Sequence, residues 1–132
     1  DYVAYLNNNI LSLVIRSTLK EAESAQRVII QTYNYNLQTN TSVTLNDAIS
    51  LKSLNEKDVE NKIQSTIKEA DDQTKAILSM GYSNIYTRDL NNDMYKIANS
   101  KTFFLGENGK LYIIYAYGNQ NFTSEMDIVL FE

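Results

Sequence analysis

The 132-residue sequence has no cysteine, no histidine, no proline and no tryptophan, and only four glycines. Without cysteine there is no disulfide, no thiolate nucleophile and no zinc-thiolate centre. Without histidine the chain lacks the commonest general base and the commonest transition-metal ligand. The Ser-His-Asp and Cys-His arrangements are therefore excluded within it. No run approaches the ~18 apolar residues that a membrane-spanning helix needs. Basic residues are also too few and too scattered to form a stripe, with 12 Lys and Arg against 16 Asp and Glu and a net charge of −4. Nucleic acid and anionic membrane are accordingly not expected as partners.

What is present is ordinary globular material, 43% hydrophobic and 21% charged, long enough for one domain with its own core over residues 1–132. No repeat, linker or low-complexity tract divides it. The sequence opens Asp-Tyr-Val, with no signal peptide, and is read as a piece of a longer exported or membrane-anchored protein.

The pattern predicts the elements in order. Residues 2–6 and 10–16 read as two strands joined by the turn Asn7-Asn8-Asn9, since Asn tolerates positive φ. Residues 20–26 read as a polar loop, and 27–37 as a long strand. The odd positions of that strand, Ile29, Tyr33, Tyr35 and Leu37, are apolar apart from Gln31. Its even positions turn polar at Thr32, Asn34 and Asn36. The odd face is therefore expected to be buried throughout. Val43 and Leu45 suggest a short strand, and residues 48–51 a single helical turn.

The clearest helix follows. Asn55 is a good N-cap, Glu56 and Asp58 suit the positive end of the macrodipole, and Val59, Ile63, Ile67, Ala70, Thr74 and Ile77 recur at helical spacing. Gly81 fits the position that ends a helix. Residues 82–99 fit either a short helix or irregular chain. Strands are expected over 102–105, 111–117 and 126–131, the first two joined through the hairpin pair Asn108-Gly109. Strands, one long amphipathic helix, then strands make an α+β fold, with a mostly antiparallel sheet packed against that helix.

Both faces of Leu-Tyr-Ile-Ile-Tyr-Ala-Tyr, residues 111–117, are apolar, as in an inner strand. Tyr112 and Ile113 are expected in the core. Tyr115 and Tyr117 lie nearest the following loop. With Asn119, Asn121 and Phe122 they are the candidate ligand contacts, because aromatic faces stack on sugars or fill protein pockets and Asn amides supply adaptable hydrogen bonds.

Acidic groups give no stronger signal. Asp89-Leu-Asn91-Asn-Asp93 has the spacing that begins a calcium loop, but Met94 and Ser100 stand where the motif needs Gly and Glu. It reads as a polar turn. Glu125 and Asp127 share a strand face and read as a solvated edge, and Asp71-Asp72 as part of the wet face of the helix. Asn40 and Asn121 begin glycosylation sequons, which an Asn-rich chain contains by chance. No phosphate-binding glycine loop or nucleophile elbow occurs. The chain is expected to be no enzyme, with no metal and no cofactor.

Three stretches carry a resemblance to a known family. Asn8-Asn9-Ile10-Leu11-Ser12-Leu13-Val14, Gln31-Thr-Tyr33-Asn-Tyr35-Asn-Leu37-Gln-Thr39 and Val43-Thr-Leu45-Asn-Asp47 resemble the extracytoplasmic domain of RsiV-type anti-sigma factors. The same domain accompanies the catalytic domain of PdaC-type peptidoglycan deacetylases. Residues 17–26 and 115–122 depart from the loops usual in that family, so the chain looks like a divergent, clostridial-type branch of it. The resemblance implies an extracytoplasmic sensor or ligand-binding domain of a Gram-positive cell-surface protein. Its ligand would be a protein such as lysozyme, or a cell-wall glycan. The alternative it implies is an accessory domain of a wall-modifying enzyme such as a polysaccharide deacetylase.

Overall fold

A computed structural model describes residues 1–20, 27–83, 85–117 and 125–132. The expected loop 20–26 and the contacts Asn119, Asn121 and Phe122 lie, but for Lys20, outside the described residues.

The fold is α+β, with its strands divided between two antiparallel sheets. Sheet A has the order β1 (Tyr2–Asn7), β2 (Ile10–Leu19), β3 (Arg27–Asn36) and β4 (Thr41–Ser42). Sheet B has the order β5 (Phe103–Leu105), β6 (Leu111–Tyr117) and β7 (Glu125–Phe131). Between the two sheets in sequence come α1 (Leu45–Leu51) and α2 (Glu56–Ser79).

Local chemistry explains most of these bounds. Asn8 takes the left-handed conformation, φ 53°, and closes the β1–β2 hairpin. Asn108 and Gly109 do the same between β5 and β6, at φ 58° and 73°. Helix α2 starts where the Asn55 side chain accepts the Asp58 amide, and Gly81 follows its end at φ 95°.

Leu45 differs from expectation, because it opens α1 instead of a strand. Thr44 Oγ1 accepts the Asp47 amide at 3.1 Å, and the Asp47 carboxylate accepts the Thr44 amide at 2.9 Å. This reciprocal cap starts a helix two residues after β4 ends. Among the described residues of 82–99 the helical elements are the 3₁₀ turns Asp93–Tyr95 and Ile97–Asn99.

The main core lies between the helices and one face of sheet B. Val59, Ile63 and Ile67 of α2 are buried against a layer that includes Leu111, Ile113, Tyr115, Val129 and Phe131. Each fully buried aliphatic contributes about 1.5–3 kcal/mol. Ile113 is in the core as expected, while Tyr112 is half-buried on the opposite face of β6. There its ring stacks on Phe104 at 4.7 Å between centroids, and Phe104 stacks on Tyr5 of β1 at 5.8 Å. Gly106 makes room for this stack: a Cβ there would lie 2.8 Å from the Tyr112 ring.

Sheet A closes against the free edge of β5. Strand β5 pairs with β6 on one side only, so the outward N–H and C=O of Phe103 and Leu105 need other partners. Side chains of sheet A supply all four. The Phe103 amide donates to Thr32 Oγ1 at 3.1 Å, and the Phe103 carbonyl accepts from Asn34 Nδ2 at 2.8 Å. The Leu105 amide donates to Ser12 Oγ at 3.2 Å, and its carbonyl accepts from Asn7 Nδ2 at 3.2 Å. Ser12 in turn donates to Asn34 Oδ1 at 2.6 Å.

Candidate functional site

The closure of β5 inverts the expected burial of β3. Thr32 and Asn34 face inward because their polar groups are needed at the β5 edge. Tyr33, Tyr35 and Leu37, expected inside, are turned to solvent, with Tyr33 56% exposed. The register places Leu13 opposite Tyr33 and Leu11 opposite Tyr35. It also places Leu6 opposite Leu11 and Tyr2 opposite Ile15. Directly opposed residues share a face. Tyr2, Leu6, Leu11, Tyr33 and Tyr35 therefore form one open apolar surface on the outer side of sheet A. All five are exposed.

Large exposed apolar patches on a small domain mark interaction sites. The sequence carried the signal, an apolar odd face on β3. What it could not carry was the direction of that face. Neither Tyr33 nor Tyr35 was among the expected contacts.

The expected contacts sit elsewhere. Tyr115 belongs to the core, 3% exposed, with its hydroxyl 2.7 Å from Ser100 Oγ and its ring against Tyr95. Burial pushes its phenol up to about 12. Tyr117 is half-buried, and its ring lies under the Arg88 guanidinium at 3.8 Å from the centroid. Its phenol is also pushed up to about 12, by burial first and then by Asp127 and Glu125, against the opposing pull of Arg88. The two tyrosines are thus placed at the sheet B end of the molecule, away from the open face of sheet A.

Arg88 organises that end. Its Nε and Nη2 grip Asp127 at 2.5 and 2.9 Å, and Nη1 donates to Thr74 Oγ1 at 2.8 Å. Its backbone amide donates to Asp71 Oδ1 at 2.8 Å. The Arg88 and Asp127 side chains are only 4% and 10% exposed, and that of Asp71 is 1% exposed. Two expectations are corrected here, since Asp127 is no solvated edge and Asp71 no part of the wet helix face. Burial alone would raise the Asp71 carboxyl. The Arg88 amide and Lys75 outweigh it and hold the carboxyl below its usual range. No buried side-chain polar atom among the described residues lacks a partner. A carboxylate gripped through both oxygens is poorly placed to act as a base. The cluster ties residues 85–92 to α2 and β7.

Two other acidic groups are engaged locally. The Asp89 carboxylate accepts the Asn91 amide in a local turn, and Asp93 pairs with Lys96. Among the described residues no group of three or more acidic side chains could hold an ion. A cleft of about 360 Å³ opens at the hairpin end of sheet A, lined by amides that include Asn8, Asn9, Asn36 and Asn108, with Lys52 beside them.

No protein-family model, no curated protein and no solved structure matches this chain.

Proposed function

We propose that this chain is a non-catalytic extracytoplasmic sensor or ligand-binding domain of a Gram-positive cell-surface protein. It takes a protein ligand, of the lysozyme kind that the family resemblance implies, on the outer face of sheet A. One observation carries the reading: Tyr33 and Tyr35 stand open on a rigid ladder beside Leu6 and Leu11. Tyrosine supplies a large amphipathic contact at low entropic cost, and binding energy concentrates in such residues.

Calorimetric titration with lysozyme tests it. The domain is acidic, so attraction at low salt has little diagnostic value. Stoichiometric binding at physiological salt, weakened at least about tenfold by Tyr33→Ser with Tyr35→Ser, is the expected result. No binding at that salt, or binding indifferent to the two substitutions, would overturn the reading.

The amide-lined cleft favours a second reading, an accessory domain that holds wall glycan for a polysaccharide deacetylase. Titration with soluble peptidoglycan fragments tests that reading. Heat of binding lost in Asn36→Leu supports it, and no heat excludes it.

A further inference from the structure

The β5 edge and the β1 edge are treated differently. Side chains close the β5 edge. The β1 edge is open. The Asp1 carbonyl accepts from the Arg16 amide at 2.9 Å, so the odd residues of β1 turn their backbone toward β2. Tyr2, Ala4 and Leu6 turn their N–H and C=O outward. Among the described residues no hydrogen bond reaches them on that side. Proteins blunt such edges with proline, lysine or a bulge. From Tyr2 to Asn7 there is no proline and no charge, and the pairing with β2 runs without a bulge.

We propose that β1 is a pairing edge and that its partner is β1 of a second copy, antiparallel about a two-fold axis through Ala4. The outward groups are spaced symmetrically about Ala4, so the edge is complementary to itself. In this register Ala4 meets Ala4 and Tyr2 meets Leu6, giving about six backbone hydrogen bonds. On the outer face Tyr2 and Leu6, 74% and 63% exposed, cover one another. On the inner face Val3 meets Tyr5. Asp1 meets Asn7, so no like charges oppose. A one-residue slip would put Val3 opposite Leu6, on opposite faces, and is disfavoured. The axis stands perpendicular to the sheet. Two copies of sheet A thus become one continuous sheet with both Tyr33–Tyr35 surfaces on the same side.

Sedimentation equilibrium of the whole chain, with one cysteine cross-link, tests the pairing. The mass is expected to rise from one chain to two with concentration. Ala4→Pro removes an outward N–H without touching the bonds to β2, and is expected to leave a folded monomer by circular dichroism. Leu6→Lys is expected to do the same should Ala4→Pro not fold. Ala4→Cys is then the only thiol in the chain. The paired Cα atoms would lie about 5.5 Å apart, within disulfide reach. It is expected to form a disulfide dimer at least about tenfold faster than Gln73→Cys on the exposed face of α2. A wild-type chain that stays one chain in mass overturns the proposal and leaves the edge to a strand of another protein. So does a dimer that survives both substitutions, or an Ala4→Cys cross-link no faster than the Gln73→Cys control.

Discussion

The Asn34 side-chain amide donates to the Phe103 carbonyl across 2.8 Å, joining the face of one sheet to the free edge of the other. That bond and its neighbours turn the polar side of β3 inward and so leave the tyrosine side out.

Replacing Asn34 with leucine is therefore expected to destabilise the fold, although an apolar residue enters a half-buried position. The Phe103 carbonyl and the Ser12 hydroxyl, itself fully buried, each lose a partner. An unsatisfied buried group costs about 1–3 kcal/mol. A urea midpoint shift of that size checks it, and an unchanged midpoint would count against the bridge.

Much of the fold was legible in the sequence. Asn55, the apolar period of α2 and Gly81 each act on backbone or side chains a few positions away, so local chemistry decides them. The hairpins at Asn8 and at Asn108-Gly109 are local in the same sense. Thr44-Leu-Asn-Asp47 is also a local signal, a capping pair with Asp in place of Glu, and it identifies α1 once it is read as a cap. The orientation of β3 is different. It depends on groups of β5 some seventy residues away, which no periodicity records. The Arg88–Asp127 pair is likewise invisible in sequence, because its members are 39 residues apart. Sequence spacing showed an apolar face and a polar face on β3, and only the packing decides which is buried.

Arg88→Met should be among the most damaging single changes. It leaves Asp127 buried without its cation and frees Thr74. Breaking one side of a buried pair costs about 3–5 kcal/mol. Removing both charges, with Arg88→Met and Asp127→Leu together, should recover much of the loss. Chemical denaturation of the two single variants and the double variant measures this. Equal loss in the single and the double would contradict it.

Stability should fall at both ends of the pH scale for identifiable reasons. The Asp71 carboxyl is held below its usual range, so its contribution is complete above the unfolded value of 3.8 and is lost as pH falls through its folded value. Tyr115 and Tyr117 are raised from 10.0 to about 12, so their contribution is complete below 10.0 and is lost as pH climbs toward 12. Melting temperature against pH should show both declines. Asp71→Asn, itself less stable at neutral pH, should lose part of the acid decline. An acid limb as steep as in the wild type would assign that decline to other carboxylates.

Gly106→Ala should destabilise through crowding. The added Cβ would press on Tyr112 and Phe104, at 2.8 and 3.1 Å, in the stacked rings between the sheets. Overpacking of this kind costs about 1–3 kcal/mol. Thermal melts of Gly106→Ala alone and with Tyr112→Leu check it, since the second change should relieve part of the first.

Sheet A presents Tyr33 and Tyr35 to solvent and keeps Thr32 and Asn34 inside. Hydroxyl-radical footprinting of the isolated chain, read tyrosine by tyrosine by mass spectrometry, tests this most directly. Tyr33 and Tyr35 are expected to be labelled readily, while Tyr95 and Tyr115, 4% and 3% exposed, stay protected. Protection of Tyr33 and Tyr35 equal to that of Tyr115 would place the face inside and contradict the account.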